Sequence, residues 1–149
     1  MCCIGLIDSL IRIDCSSWLI NGEWASSIRR SVFVQEQGID ESEEWDEHDS
    51  VSTHVLAWLG DKPVGTARLL PEGKIGRMAV LPEFRSQGIG SAMLLALLAV
   101  AKEKNLPQVR LSAQQQAMEF YSRHGFAPCG DSHMEVGIPH QWMVRDLTT

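Results

Sequence analysis

Residues 74 to 94 read KIGRMAVLPEFRSQGIGSAML, and no other stretch constrains the fold as tightly. The run Lys74 to Leu81 has the length and apolar content of a strand and is stopped by Pro82. A polar loop follows, Arg85-Ser86-Gln87-Gly88-Ile89-Gly90, and runs straight into a helix that extends from Gly88 to Lys104 before Asn105 and Pro107 break it. That helix is apolar almost all round until Lys102, so it packs against a sheet on one side and other elements on another. Its longest apolar run, Ala92 to Ala101, is about half of the ~20 residues needed to span a bilayer, which makes it a buried helix and argues against a membrane protein.

The two glycines remove side chains where something must approach the backbone. The N–H groups of the helix's first turn then point outward, and with the helix dipole behind them they suit an anion such as a pyrophosphate. A P-loop needs G-x-x-x-x-G-K-[ST], which the chain lacks, and a dinucleotide fingerprint fails because Met93 stands where a third Gly or Ala is needed. A nucleotide-binding regulator is disfavoured on both counts. The loop does fit [RQ]-x-x-G-x-[GA], through Arg85, Gly88 and Gly90.

The remaining pattern supplies a sheet for this unit. A first strand is expected over Leu10 to Cys15 and a helix from Gly22 to Gln37, ended by Gly38. Val51 to Leu59 and Pro63 to Leu70 form a hairpin. After the helix come a short strand, Val109 to Ala113, a helix from Gln116 to His124, and late strands Phe126 to Cys129 and Gln141 to Asp146. Cys129 reads as a small core residue. Strands followed by a βαβ unit indicate a mixed α/β sheet. With 149 residues, the chain reads as a single domain, 1–149.

Charge is unevenly spread. Residues 36 to 49, EQGIDESEEWDEHD, hold eight of the 19 acidic residues and no Lys or Arg, so the rest of a chain of net charge −6 carries +2. Such a segment cannot bury itself and reads as a solvated surface loop with room for a short helical turn, and the absence of a basic surface argues against nucleic acid as a partner. Among Cys2, Cys3, Cys15 and Cys129 there is no C-x-x-C pair, and His48 and His54 lack a third partner, so no metal site is expected. No secretory signal is visible at the start, which points to reduced thiols and a cytoplasmic location.

A second motif carries a resemblance. Residues 117 to 126, AMEFYSRHGF, match A-x-x-F-Y-x-[KR]-x-G-F about 25 residues after the glycine loop. In that order and spacing the two segments resemble the GCN5-related N-acetyltransferase (GNAT) superfamily. VFVQEQGI (32–39), DEHD (46–49), TARLLP (66–71) and GIPH (137–140) look like its branch of small bacterial acetyltransferases resembling YjcF and ElaA. The resemblance implies a mixed, mostly antiparallel central sheet of six to seven strands flanked by helices, with the fourth and fifth strands splayed. It implies an acyl-CoA-dependent N-acetyltransferase that moves an acetyl group from acetyl-CoA to a primary amine through a tetrahedral intermediate. Met78, Ala79 and Val80 would pair with the pantetheine arm as an added strand does. Arg85, Ser86, Gln87, Gly88, Ile89, Gly90 and Ser91 would hold the pyrophosphate, and Tyr121 would protonate the departing thiolate. Gln114 stands where many relatives carry Asn and is read as a partner of the cofactor arm.

An alkylamine is neutral only about once in 10³ molecules at pH 7, a deficit of ~4 kcal/mol that a base, a water relay or desolvation must supply. The fourth strand has no carboxylate, so Glu36 is the first candidate base, with Glu135, His48, His140 and water as alternatives. The acidic segment borders the acceptor side in such a fold, where it would steer a cationic amine. Relatives pair as dimers through their late strands, which leaves a homodimer open. The runner-up function is a non-catalytic acyl-CoA-binding sensor or partner module.

Overall fold

The sheet in the computed structural model, which describes residues 5–6 and 11–148, is built as expected around one parallel pair. Its strands are β1 (Ile11–Ser17), β2 (Thr53–Leu59), β3 (Lys62–Leu69), β4 (Lys74–Val80), β5 (Gln108–Gln114), β6 (Ala127–Glu135) and β7 (Ile138–Asp146). They lie in the order β1-β2-β3-β4-β5-β7-β6, and every pairing except β4–β5 is antiparallel. A two-residue strand, Gly5–Leu6, pairs with the outer edge of β1. Leu10 and the cysteines at 2 and 3 lie outside the described residues. Among the described residues no helix is long and apolar enough to cross a membrane.

Two layers of helix cover the sheet. Helix α3 (Ile89–Glu103) buries Ile89, Met93, Leu94, Leu97 and Leu98 against Ile13, Val55, Ile75, Val109 and Leu111. Helix α1 (Trp18–Arg29), which runs on through π-helical turns over Arg30–Glu36, covers the other face with Ala25, Ile28, Val32 and Phe33 against Leu56 and Ala79. It starts four residues before the expected Gly22. That glycine serves packing, because a Cβ there would stand 2.7 Å from the Trp18 indole that folds back over it. Gly38 does end the helical stretch, with φ +72.

Strand β4 carries an irregularity that decides what faces where. Arg77 has φ +52, and the β3–β4 register breaks between Thr66 and Arg68. Ile75 before the bulge and Met78 and Val80 after it all pack on the α3 side, while Ala79 joins the α1 side. The pairing of β4 with β5 is confined to Lys74↔Arg110 and Ile75↔Leu111. Beyond Ile75 the two strands part.

The acidic segment forms the short helical turn expected of it, but part of it is buried where a solvated loop was expected. It folds into one turn of helix, α2 (Glu41–Glu44), and a 3₁₀ turn (Glu47–Val51), capped by the side chains of Asp40 and Asp46. Glu44 and Asp49 are 3% and 4% exposed. Buried Arg29 donates from Nε to Glu44 and from a terminal nitrogen to Asp49, each at 2.8 Å. Arg68 bonds Asp46 and Asp49, and Arg77 bonds Glu44 at 2.9 Å and Asp46 at 3.3 Å. Three guanidinium groups on the helix and sheet thus meet three carboxylates of the segment. Burial is possible because the opposite charges come from elsewhere in the chain.

The late strands are longer than the sequence suggests. β6 runs to Glu135 and breaks register between Pro128 and Ser132. Cys129 falls in that bulge on the edge strand and is exposed, contrary to its reading as a core residue.

Removing one member of the buried network leaves an uncompensated charge, so Glu44→Gln should cost on the order of 3–5 kcal/mol, read as a lower urea midpoint. Acid should also act through Asp46. Burial raises its carboxyl, but hydrogen bonds and charge from Arg68, with further help from Arg77 and the His48 N–H, bring it down from 3.8 to about 2. A carboxylate lowered on folding contributes its stability above the unfolded value and loses it as pH falls. Stability should therefore drop between about pH 4 and pH 2, and Asp46→Asn should flatten that limb in acid titrations followed by circular dichroism.

Candidate functional site

Where β4 and β5 part, a cleft of about 340 Å³ opens through the sheet. On the α3 side Tyr121, from helix α4 (Met118–Ser122), points into it. The Tyr121 hydroxyl donates to Met78 Sδ at 3.6 Å, and its ring packs edge-on to Phe120 and Phe126. Burial among these apolar groups pushes the phenol up to about 12. The hydroxyl therefore stays protonated through the physiological range and acts as a hydrogen-bond donor.

The opposite side of the cleft is polar. Val109, Leu111 and Ala113 pack toward α3, so strand alternation turns Ser112 and Gln114 the other way. Glu135 reaches across from β6 and accepts from Ser112 Oγ; the same oxygen lies 2.5 Å from His133 Nε2. Burial raises the Glu135 carboxyl, but the bonds to Ser112 and His133, with charge from His140, outweigh it and leave it below the ordinary carboxylate range. His140 lines the cleft too and is bound through Nδ1 to the Ile138 carbonyl at 2.7 Å. Gln114 exchanges amide hydrogen bonds with Gln37 at 3.0 and 3.4 Å, joining the end of β5 to the end of the α1 arm and closing one wall.

The glycine loop stands beyond the Val80 end of β4. Gly88 caps α3 in the left-handed region at φ +81, and the first intrahelical bond there runs from Ala92 N–H to the Gly88 carbonyl. The N–H groups of Ile89, Gly90 and Ser91 therefore have no partner within the helix. Gly90 faces Phe120, and a Cβ there would meet that ring in ordinary contact at 3.4 Å. Arg85 spans the gap to the α1 arm. Its Nε donates to the Val80 carbonyl at 2.9 Å, and its terminal nitrogens clamp Glu36 with two bonds of 2.7 Å.

The structure thus brings Met78, Gln114, Tyr121, Glu135 and His140 to one cleft, and sets Arg85, Ser86, Gln87, Gly88, Ile89, Gly90 and Ser91 at the adjoining helix terminus. Glu36 and His48 do not line the cleft. Glu36 precedes Gln37, which does line it, and the hydrogen bonds from Arg85, stronger than the opposing effect of burial, hold the Glu36 carboxyl low. Glu135 and His140 are the better placed of the four side chains because they line the cleft, although Glu135, like Glu36, is held below the ordinary carboxylate range. Sequence reasoning missed Lys74, Arg77 and Ser112, which also line the cleft. They carry no motif, and the bulge at Arg77 decides which face β4 presents. No group of three or more metal-ligating side chains occurs among the described residues.

Comparison with known proteins gives one consistent answer. A family model described as the acetyltransferase (GNAT) domain matches residues 25–147. The uncharacterised N-acetyltransferase YjcF of Bacillus subtilis is 37% identical over 123 residues, covering 80% of this chain and 88% of that one. The crystal structure of Escherichia coli ElaA superposes with a TM-score of 0.81 at 27% identity, over 90% of this chain and 99% of that one. An acyl-CoA N-acyltransferase from Pseudomonas aeruginosa gives 0.79 at 28% identity, over 91% and 99%.

The Glu36–Arg85 pair is largely solvent-exposed, so it contributes little to folding despite its geometry. Glu36→Gln should shift stability by no more than about 1 kcal/mol in urea denaturation, in contrast to changes in the buried network.

Proposed function

This chain belongs to the GNAT acetyltransferase family, and from that premise we propose that it transfers an acetyl group from acetyl-CoA to a primary amine by direct attack through a tetrahedral intermediate. The observation that carries the reading is the parting of β4 and β5 after Ile75, which opens one cleft to both faces of the sheet. The donor enters from the α3 side and the acceptor from the side of Ser112 and Glu135.

Each part has a physical role. The freed edge of β4 offers backbone groups of Met78, Ala79 and Val80 to the pantetheine amides, as an added strand does. The unpartnered N–H groups at the start of α3, with Ser86 and Gln87 leading into them, take the pyrophosphate, and the helix dipole favours its charge. Arg85 supplies positive charge beside that position. A β4 N–H aimed at the thioester carbonyl stabilises the oxyanion as the amine attacks. The C–N bond forms, the C–S bond breaks, and the thiolate leaves toward Tyr121. A thiol of pKa ~8.5 leaves well as thiolate, and a phenol near 12 holds its own proton more tightly than the thiol does. Tyr121 therefore stabilises the thiolate by hydrogen bonding and does not need to surrender its proton. On the acceptor side His140 receives the proton that the amine loses, directly or through water, while the ionised Glu135 carboxylate holds the incoming ammonium in place.

Acetyl-CoA at 100 times its dissociation constant should stabilise the protein by about 2.7 kcal/mol and raise its melting temperature, while NADH and ATP should not. The absence of a selective shift sinks the reading. Gly88→Val forces a β-branched residue to φ +81 and should abolish the shift. Acetyl-CoA binding without thiol release across a panel of amines would favour a non-catalytic binding module instead. In the active enzyme Tyr121→Phe should lower kcat by roughly tenfold or more with little change in acetyl-CoA affinity, and full activity in that variant would remove its role.

A further inference from the structure

The charges in the cleft are not equally committed. Arg77 is paired with Glu44 and Asp46, and Glu44 is also held by Arg29. Glu135 is engaged by Ser112 and His133 through a single oxygen, Oε2. Lys74 differs from all of these. Its ammonium lies 5.3 Å from the centroid of the Trp142 ring, and among the described residues it makes no ion pair and no side-chain hydrogen bond. Burial holds its pKa below the usual lysine value; Glu135 opposes that effect, while Arg68, Arg77 and Arg110 reinforce it. This half-buried cation, short of an anion, lines the same cavity as Tyr121.

Its position along the cleft gives the missing anion a place. Lys74 pairs with Arg110 at the closed end, just before the strands part. Met78, which touches Tyr121, lies four residues further along β4, about 10 Å once the extra residue of the bulge is discounted. Ser112, which holds Glu135, follows Leu111, the partner of Ile75, and so falls between the two. An acceptor with its amine toward Met78 therefore passes Glu135 and ends against Lys74. From this juxtaposition we propose that the acceptor is an amine that also carries a carboxylate, and that Lys74 is the residue that selects it. The inference rests on the acyl-transfer reading and replaces the expected cationic acceptor. The carboxylates that suggested one are largely spent on arginines, whereas Lys74 has no carboxylate within ion-pair distance among the described residues.

The test uses pairs of amines that differ in the carboxylate alone and are long enough to span the cleft: 4-aminobutyrate against propylamine, and 6-aminohexanoate against pentylamine, with thiol release as the readout. The unchanged enzyme should show a kcat/KM at least about tenfold higher for the carboxylate member, mostly through KM, because a buried charge left unpaired penalises the analogue lacking its partner. Lys74→Gln should collapse that ratio toward one, and Lys74→Arg should keep most of it; a retained acetyl-CoA thermal shift confirms that each variant is folded. Equal kcat/KM within the pairs, or a preference that survives Lys74→Gln, overturns the proposal and leaves acyl transfer standing. A preference for 2-aminoethyl phosphate over both carboxylates overturns the choice of anion. Should no amine release thiol although acetyl-CoA binds, the transferase reading fails and this proposal with it.

Discussion

Arg77 occupies a backbone conformation that costs a non-glycine residue about 1–2 kcal/mol, and the interactions of its guanidinium hold it there. Glu44 receives it through both its carboxylate and its backbone carbonyl, and Asp46 adds a third contact. Glu44 is buried, so its pairing with Arg77 is little screened by solvent and offsets the backbone strain. The bulge it secures has consequences along the whole strand. It keeps Met78 and Val80 on the same side as Ile75, and it falls where β4 leaves β5. The cleft therefore depends on carboxylates that sit well outside the sheet.

The acidic segment acquires a different meaning in this light. Five of its eight carboxylates are paired with arginines: Glu36 with Arg85, Glu41 with Arg30, and Glu44, Asp46 and Asp49 with Arg29, Arg68 and Arg77. Charge neutralised at 2.7–2.9 Å projects little field at a distance, which weakens any account of the segment as a steering surface. Trp45, stacked against Arg29 and Arg30, adds packing to the same junction. The segment works as a clasp between the α1 arm and the sheet.

The two faces of the cleft push their titratable groups in opposite directions. Tyr121 sits among Met78, Phe120 and Phe126 and stays protonated, whereas Glu135 is held by Ser112 and His133 and stays ionised. A donor on one side and an acceptor on the other, across a gap in a sheet, suit a reaction in which a proton leaves the nucleophile while negative charge grows on the leaving group.

The strand-loop-helix unit from Lys74 to Lys104, the glycine at the start of α3, the order of elements along the chain and the tyrosine helix were all legible from residue pattern, because each follows from local periodicity, turn chemistry or a short motif. The direction of the acidic side chains was not, because their partners Arg29, Arg68 and Arg77 lie on other elements and carry no local signal. Glu36 illustrates the same limit: its place in sequence put it near the cleft mouth, but only the approach of Arg85, 49 positions later, committed its carboxylate. Lys74 is the converse, an unremarkable strand residue whose surroundings come from β6 and β7. The amino-acid order thus specified the framework and the donor-binding end, where backbone geometry does the work. The acceptor side was left to the folded chain, because the burial and pairing of a charge depend on residues that only long-range packing brings within a few ångströms.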